Sequence, residues 1–195
     1  MKDPADIYTL DWFRGHADGV EEYRRVADSI ESVLPAFRSV VDVGCGPAFA
    51  LARLQELGHE VKGIEGSVHA LHFCPIKDKV SIVDITTAKA KYFGTFDLVV
   101  CTEVAEHLEA VHADNLVNLL AGLAKDVIYF TAAPPGQGGT DHVNEQPPEY
   151  WIDKFHALRC QVDQELTERM RARLRDVMKW QFWYATNSLV FRKVA

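Results

Sequence analysis

Glu103, Glu106 and His107 are spaced i, i+3 and i+4 in the run Thr102-Glu103-Val104-Ala105-Glu106-His107-Leu108. On a helix start, that spacing puts two carboxylates and an imidazole on one face. His142 follows in a separate, loop-like stretch. His107 and His142 are candidate general bases near neutral pH, with Glu103 beside them. The four residues Glu103, Glu106, His107 and His142 also have the ligand types of a divalent site for Mg²⁺, Mn²⁺ or Zn²⁺. A second constellation is built for binding. Val40-Val41-Asp42-Val43 runs directly into Gly44-Cys45-Gly46. Glycines one residue apart let a ligand approach the main chain, and the N–H groups opening the next helix favour polar or anionic groups. Glu65 falls 19 residues after Gly46, at the expected end of a second strand, where an acid can accept hydrogen bonds from both hydroxyls of a ribose.

The bulk properties limit the partners of these residues. The chain has 195 residues and a formal net charge of −7, which argues against a broad nucleic-acid or anionic-membrane surface. No apolar run is long enough to span a bilayer, and the opening residues lack a signal-type apolar core, so the expected setting is the cytoplasm. Cys45, Cys74, Cys101 and Cys160 show no C-x-x-C spacing, and Cys45 and Cys101 read as small packing residues at strand ends. The one basic helix, around Arg169, Arg171, Arg173, Arg175 and Lys179, spreads its charge around its circumference and is interrupted by Glu165, Glu168 and Asp176, as a solvated helix would be.

The positioning elements follow from periodicity. Tyr8, Trp12 and Phe13 precede the first periodic helix, which spans Val20 to Leu34 and is closed by Pro35. Strands are expected at 40–43, 60–65, 80–84, 96–101 and 126–131, with helices at 49–57 and around Leu116 to Leu123. Ser67 is an N-cap candidate. Asp84 ends the third strand and has Thr86 within reach of a turn. From Ala132 to Pro148 the sequence is a Pro- and Gly-rich loop at the carboxyl end of the sheet. A helix at 149–156, a short strand at 158–162, a helix at 164–180 and a last strand at 182–193 complete the reading. The whole is one domain, 1–195, divided into an N-terminal aromatic and helical cap at 1–36, a binding half at 37–131 and an acceptor-side loop with the last strands at 132–195.

The glycine turn resembles the D-x-G-x-G-x-[GA] loop of class I S-adenosylmethionine-dependent methyltransferases, with Ala48 at the last position. A dinucleotide fold would need a third glycine where Phe49 stands. FDLVVCTEVAEHL likewise resembles the fourth-strand motif of small-molecule and RNA methyltransferases, and the likeness extends over roughly 40–156. It implies an α/β, Rossmann-like sheet of seven strands in the order 3-2-1-4-5-7-6, the last strand antiparallel, with helices on both faces. It also implies S-adenosyl-L-methionine bound by Asp42, Gly44, Cys45, Gly46, Glu65, Gly66, Asp84, Ile85, Thr102 and Glu103, with Asp84 and the Ile85 N–H at the adenine edge. The E-x-x-E-H set with a distant histidine is similar to the divalent-metal set of small-RNA 2′-O-methyltransferases and of some ubiquinone-pathway O-methyltransferases. HVNEQPPEYW resembles an acceptor-bordering loop, so Tyr8, Trp12, His16, Asn144, Tyr150 and Trp151 are the expected contacts to a small-molecule acceptor. A methyltransferase acting on an oxygen or nitrogen is therefore expected. An RNA 2′-O-methyltransferase and a non-catalytic binding protein of the same fold are the alternatives.

Overall fold

Apolar β-branched runs separated by amphipathic helices bury best as one central sheet covered on both faces. The computed structural model describes residues 4–180 and 182–194. Its strands are β1 (Ser39–Val43), β2 (Glu60–Glu65), β3 (Val80–Ile82), β4 (Phe96–Thr102), β5 (Ala124–Thr131), β6 (Cys160–Val162) and β7 (Leu189–Lys193). They form one sheet in the order 3-2-1-4-5-7-6. Strands β1 to β5 pair in parallel, and β7 runs antiparallel to both β5 and β6. The expected sheet is borne out. Its strand order reverses between β1 and β4, which opens a crevice at their carboxyl ends.

The period of two along each strand builds two cores. Val41, Val43, Val99, Cys101, Ile128 and Phe130 face one side. There they meet α5 (Ala113–Leu123) and α6 (Pro148–Ala157). Val40, Leu98, Val100, Val127 and Tyr129 face the other side, toward α3 (Val20–Val33), α4 (Phe49–Glu56) and α7 (Gln164–Val177). Asp42 shares the second face with Val40 and lies at the crevice end, almost wholly buried.

Four expectations about local structure are corrected. Tyr8, Trp12 and Phe13 do not precede the helices. Pro4–Ile7 forms α1 and Leu10–Ala17 forms α2, which starts where Thr9 Oγ1 accepts from the Trp12 amide. The expected last strand at 182–193 is divided: Trp183–Asn187 is helix α8, and β7 begins only at Leu189. Aromatic residues favour strands, yet a helical turn is fixed here by one local and one tertiary bond. Ser188 Oγ donates to the Tyr184 carbonyl at 2.6 Å, and Arg171 Nε donates to the Ser188 carbonyl. α7 ends at Val177 rather than 180, where the Lys179 amide is captured by Glu22 Oε2 at 3.1 Å.

Fourth, no α-helix starts at Glu103. β4 runs on through Thr102, Glu103 takes φ +53°, and a single 3₁₀ turn, Ala105–His107, follows. The turn after it is closed by bonds from the His107 and Leu108 amides to the Val104 and Ala105 carbonyls, three residues back, as in a 3₁₀ rather than an α-helix. The Glu103 amide is instead held by the Thr131 carbonyl and hydroxyl at 3.1 and 2.9 Å.

Candidate functional site

The glycine turn closes because the Gly44 and Cys45 amides both donate to the Ile64 carbonyl of β2. Gly44 has φ +78°, and a Cβ on it would strike the Val104 side chain. The position accepts glycine for conformation and for space alike. Ala48 caps α4 in the left-handed region at φ 58° and is fully buried, so the small residue at the end of the motif is needed for packing.

Glu65 is seated against this turn. Its Oε2 accepts from the Gly46 amide and its Oε1 from the Ser67 amide, each at 2.8 Å. Burial raises the carboxyl above its usual range, and the amides of Ser67, Gly46 and Gly66 oppose that shift. Ser67 also accepts from the His69 amide, as an N-cap does, and its hydroxyl donates to the Tyr8 carbonyl, tying the N-terminal segment over the cleft. At the next strand end, Asp84 Oδ1 accepts from the Thr86 amide and hydroxyl. Glu65, Gly66, Asp84 and Ile85 line a cavity of about 760 Å³, together with Tyr8, Trp12 and Gly44.

A second cavity of about 430 Å³ adjoins it. Both share Trp12, Gly44, Gly46, Glu103 and His107 in their walls. The second adds Asp42, Cys45 and Thr102 on one side, His16 and Tyr23 on another, and the loop 137–140 with His142 opposite. Trp12 stacks on His16, with ring centroids 3.8 Å apart. The His16 Nδ1–H donates to the Trp12 carbonyl, and burial lowers the imidazole below its ordinary range. Asp42 is pushed up to about 7, first by burial and then by the Glu65 charge, and its Oδ1 has no hydrogen-bond partner.

Between the cavities lies the cluster of Glu106, His107 and His142. One ligand atom from each lies within 4.8 Å of the others. Neither Glu106 carboxylate oxygen nor His107 Nδ1 has a hydrogen-bond partner, although all three atoms are buried. Burial and then the Glu103 charge raise Glu106 to about 8, while burial and then His142 lower His107 to about 4. The rings of His107 and His142 meet edge to face at 4.9 Å, and Tyr8 packs on His107 at 5.6 Å. The amides of Val143 and Asn144 both donate to the Glu106 carbonyl at 2.9 Å, which brings the loop to the 3₁₀ turn.

The expected four-residue set is corrected in one member. Glu103 stands outside the ligand cluster because its strand-end conformation turns it elsewhere. Its Oε1 accepts from Asn187 Nδ2 and its Oε2 from Gln137 Nε2, both at 3.0 Å. Tyr150 and Trp151 are corrected too. Neither they nor Asn144 lines either cavity. Helix α6 turns Trp151 into the core against Phe130, and Tyr150 packs on the same core beneath Lys154. Asn144 is buried behind the loop, accepting from Gln146. Tyr8, Trp12 and His16 do reach the cavities. Sequence reading missed Gln137, Asn187 and Glu145. Only Glu145 carried a signal, its i+3 spacing from His142.

Residues 41–124 match the model of the methyltransferase domain family. A ubiquinone biosynthesis O-methyltransferase from Burkholderia thailandensis is 32% identical over 99 residues, 47% of this chain and 41% of that protein. The chain thus spans less than half the length of the curated relatives it matches. A methyltransferase structure from Archaeoglobus fulgidus superposes with a TM-score of 0.66 at 19% identity, covering 89% of this chain and 94% of that one. An amino pentose methyltransferase from Micromonospora echinaspora, solved with S-adenosylmethionine bound, gives a TM-score of 0.66 at 16% identity, covering 95% and 97%. The matched segment and the 3-2-1-4-5-7-6 sheet together show that the chain has the Rossmann-like fold of class I S-adenosylmethionine-dependent methyltransferases and resembles that family over residues 41–124.

Proposed function

We propose that the chain transfers a methyl group from S-adenosylmethionine to an oxygen or nitrogen of a small molecule. The observation that carries this reading is the continuity of the two cavities: a cleft bearing Glu65 and Asp84 opens past Gly44 and Gly46 onto a chamber bearing His107 and His142. The residues fit the nucleoside. Glu65 is fixed by two amides yet keeps lone pairs for ribose hydroxyls, and a ligand meets bare main chain at Gly46, where only the Phe13 ring comes within 4 Å of a Cβ position. Asp84 and the Ile85 amide serve the adenine edge, with Leu108 and Val104 lining the apolar sides. Asp42, Thr102 and Glu103 surround the place left for the amino-acid end. When bound, S-adenosylmethionine supplies a methyl group on a sulfonium, an electrophile that needs alignment more than activation. What remains for the chain is to orient the acceptor, exclude water and take its proton.

The acceptor is read as a small molecule without phosphate. No lysine or arginine is among the described residues lining either cavity, whereas an RNA acceptor needs cationic phosphate contacts. The O-methyltransferase relative and a structurally similar sugar N-methyltransferase from Streptoalloteichus support oxygen or nitrogen as the receiving atom. Among the described residues no helix is long and apolar enough to cross a membrane, and a cytoplasmic setting belongs to the same proposal.

A second reading adds a divalent ion, favoured by the buried and unpartnered atoms of Glu106 and His107 beside His142. One carboxylate and two imidazoles suit Mn²⁺ or Zn²⁺. A chelator that lowers the turnover of purified protein, with recovery on adding back one of these ions, supports it; full activity in excess chelator removes it. Titration with S-adenosylhomocysteine by calorimetry tests the cofactor, and mass spectrometry of molecules co-purified with the protein identifies the acceptor. Folded protein that gives no binding heat contradicts the proposal, as does strong methylation of short RNA at physiological salt.

A further inference from the structure

Glu103 stands in the wall of both cavities, and uncharged groups hold it there. Its amide donates to the Thr131 carbonyl and hydroxyl, which fixes a backbone at φ +53° that a side-chain-bearing residue rarely takes. Its Oε1 accepts from Asn187 Nδ2 and its Oε2 from Gln137 Nε2, both at 3.0 Å. Asn187 Nδ2 gives its other hydrogen to Gln137 Oε1 at 2.8 Å, which closes a ring of three side chains. Reversing either amide would set a carbonyl oxygen against the carboxylate, so both orientations are determined.

The ring joins three distant parts of the chain: the end of β4, the loop after β5 and the last residue of α8. Asn187 is buried and is placed by its neighbour Ser188. Ser188 Oγ donates to the Tyr184 carbonyl and lies 3.1 Å from the Tyr129 hydroxyl, while its carbonyl accepts from Arg171 Nε. Each Glu103 oxygen still has lone-pair capacity beyond its amide bond. Among the described residues no lysine or arginine lines either cavity. A carboxylate aimed by two amides into a cleft without a fixed cation is a seat for positive charge on a ligand.

We propose that Asn187 and Gln137 are positioning residues that hold Glu103 to receive the ammonium group of the methyl donor's amino-acid end. This rests on the methyltransferase reading given above and deepens it. The nucleoside is recognised at Glu65 and Asp84, and the amino-acid end by a carboxylate that α8 and the 136–140 loop orient jointly. The two amides bring no charge, so what they supply is direction. A carboxylate that is already fixed bonds the ammonium without first losing its side-chain freedom.

The test compares two ligands by calorimetry on the 195-residue protein. S-adenosylhomocysteine carries the amino-acid end and no sulfonium; 5′-methylthioadenosine keeps the nucleoside and the sulfur but has no amino-acid end. In Asn187→Ala, affinity for S-adenosylhomocysteine should fall by about fivefold or more, while affinity for 5′-methylthioadenosine stays within about twofold. Gln137→Ala should show the same selectivity with a smaller loss. Glu103→Gln should lose about tenfold or more for S-adenosylhomocysteine alone, and adding Asn187→Ala to it should change little more than about twofold, because Asn187 acts through the carboxylate. Equal losses for the two ligands, as a merely structural role would give, overturn the proposal. So does unchanged S-adenosylhomocysteine affinity in Asn187→Ala, or losses that add in the double variant. If Asn187→Ala does not fold, Gln137→Ala and Glu103→Gln decide by the same comparison. A parent that binds both ligands equally well overturns this inference and leaves the methyltransferase reading standing, whereas a folded parent that binds neither ends both.

Discussion

The two ends of the cleft treat their buried acids in opposite ways. At the Glu65 end, both carboxylate oxygens accept from backbone amides, and Asp84 is likewise tied to Thr86. At the Glu106 end, a fully buried residue carries two carboxylate oxygens without a partner, and a buried imidazole nitrogen beside it has none either. A satisfied acid is a fixed acceptor, able to recognise hydroxyls without moving. An unsatisfied one in the same low-dielectric surroundings costs about 1–3 kcal/mol or more per group, a cost that persists where a ligand, ion or proton transfer makes use of it. On the proposed function, this difference assigns one end to binding and the other to chemistry.

Replacing His142 by alanine should separate the two ends most sharply. Turnover on the acceptor identified from the purified protein should fall by about a hundredfold or more, while S-adenosylhomocysteine affinity changes by less than about twofold. Equal losses in both would merge the ends. Gly44→Ala should damage the binding end instead, by about 2–4 kcal/mol in urea unfolding, because a Cβ at positive φ also meets Val104. A stability within error of the parent would show that the turn relaxes easily.

Asp42 sits where the ends meet, and its effect depends on pH. The folded protein keeps this carboxyl protonated up to about 7, whereas the unfolded chain releases the proton near its ordinary value of 3.8. Between those values the folded state binds more protons, so stability falls as pH rises through the window. Asp42→Asn should remove on the order of 2–4 kcal/mol of that fall, read as a flatter dependence of the urea midpoint on pH. The same slope in parent and variant would mean that Asp42 is ionised in the folded chain at all these pH values. Tyr150→Phe should do least, changing acceptor KM by less than about twofold, because that ring belongs to the core side of α6. A large rise in KM would return Tyr150 to the acceptor wall.

The binding end was legible in the sequence because it depends on local signals. Two glycines after a β-branched run and an acid at the next strand end need only the β/α alternation to bring them together. The chemical end was legible in residue type but not in geometry. Its i, i+3, i+4 spacing suggested one helical face, but the positive φ of Glu103 turns that residue toward Gln137 and Asn187, and only Glu106 and His107 remain with His142. Asn187 lay in an aromatic segment that reads as strand; a local bond from Ser188 to Tyr184 and a bond from Arg171 to Ser188, seventeen residues apart and encoded by no local pattern, make it helix. Trp151 was misplaced for a similar reason. A proline-capped amphipathic helix can turn an aromatic to a ligand or to the core, and contact with Phe130 settles which.

The central claim is that Glu65 and its two amides form the nucleoside end of a methyl-donor site. Calorimetry with S-adenosylhomocysteine on the parent and on Glu65→Ala, each shown to be folded by circular dichroism, tests it most directly. The account predicts clear binding by the parent and a loss of affinity of at least about tenfold in the variant, the worth of one or more charge-assisted hydrogen bonds. No binding by the folded parent, or equal affinity in the two proteins, would contradict it.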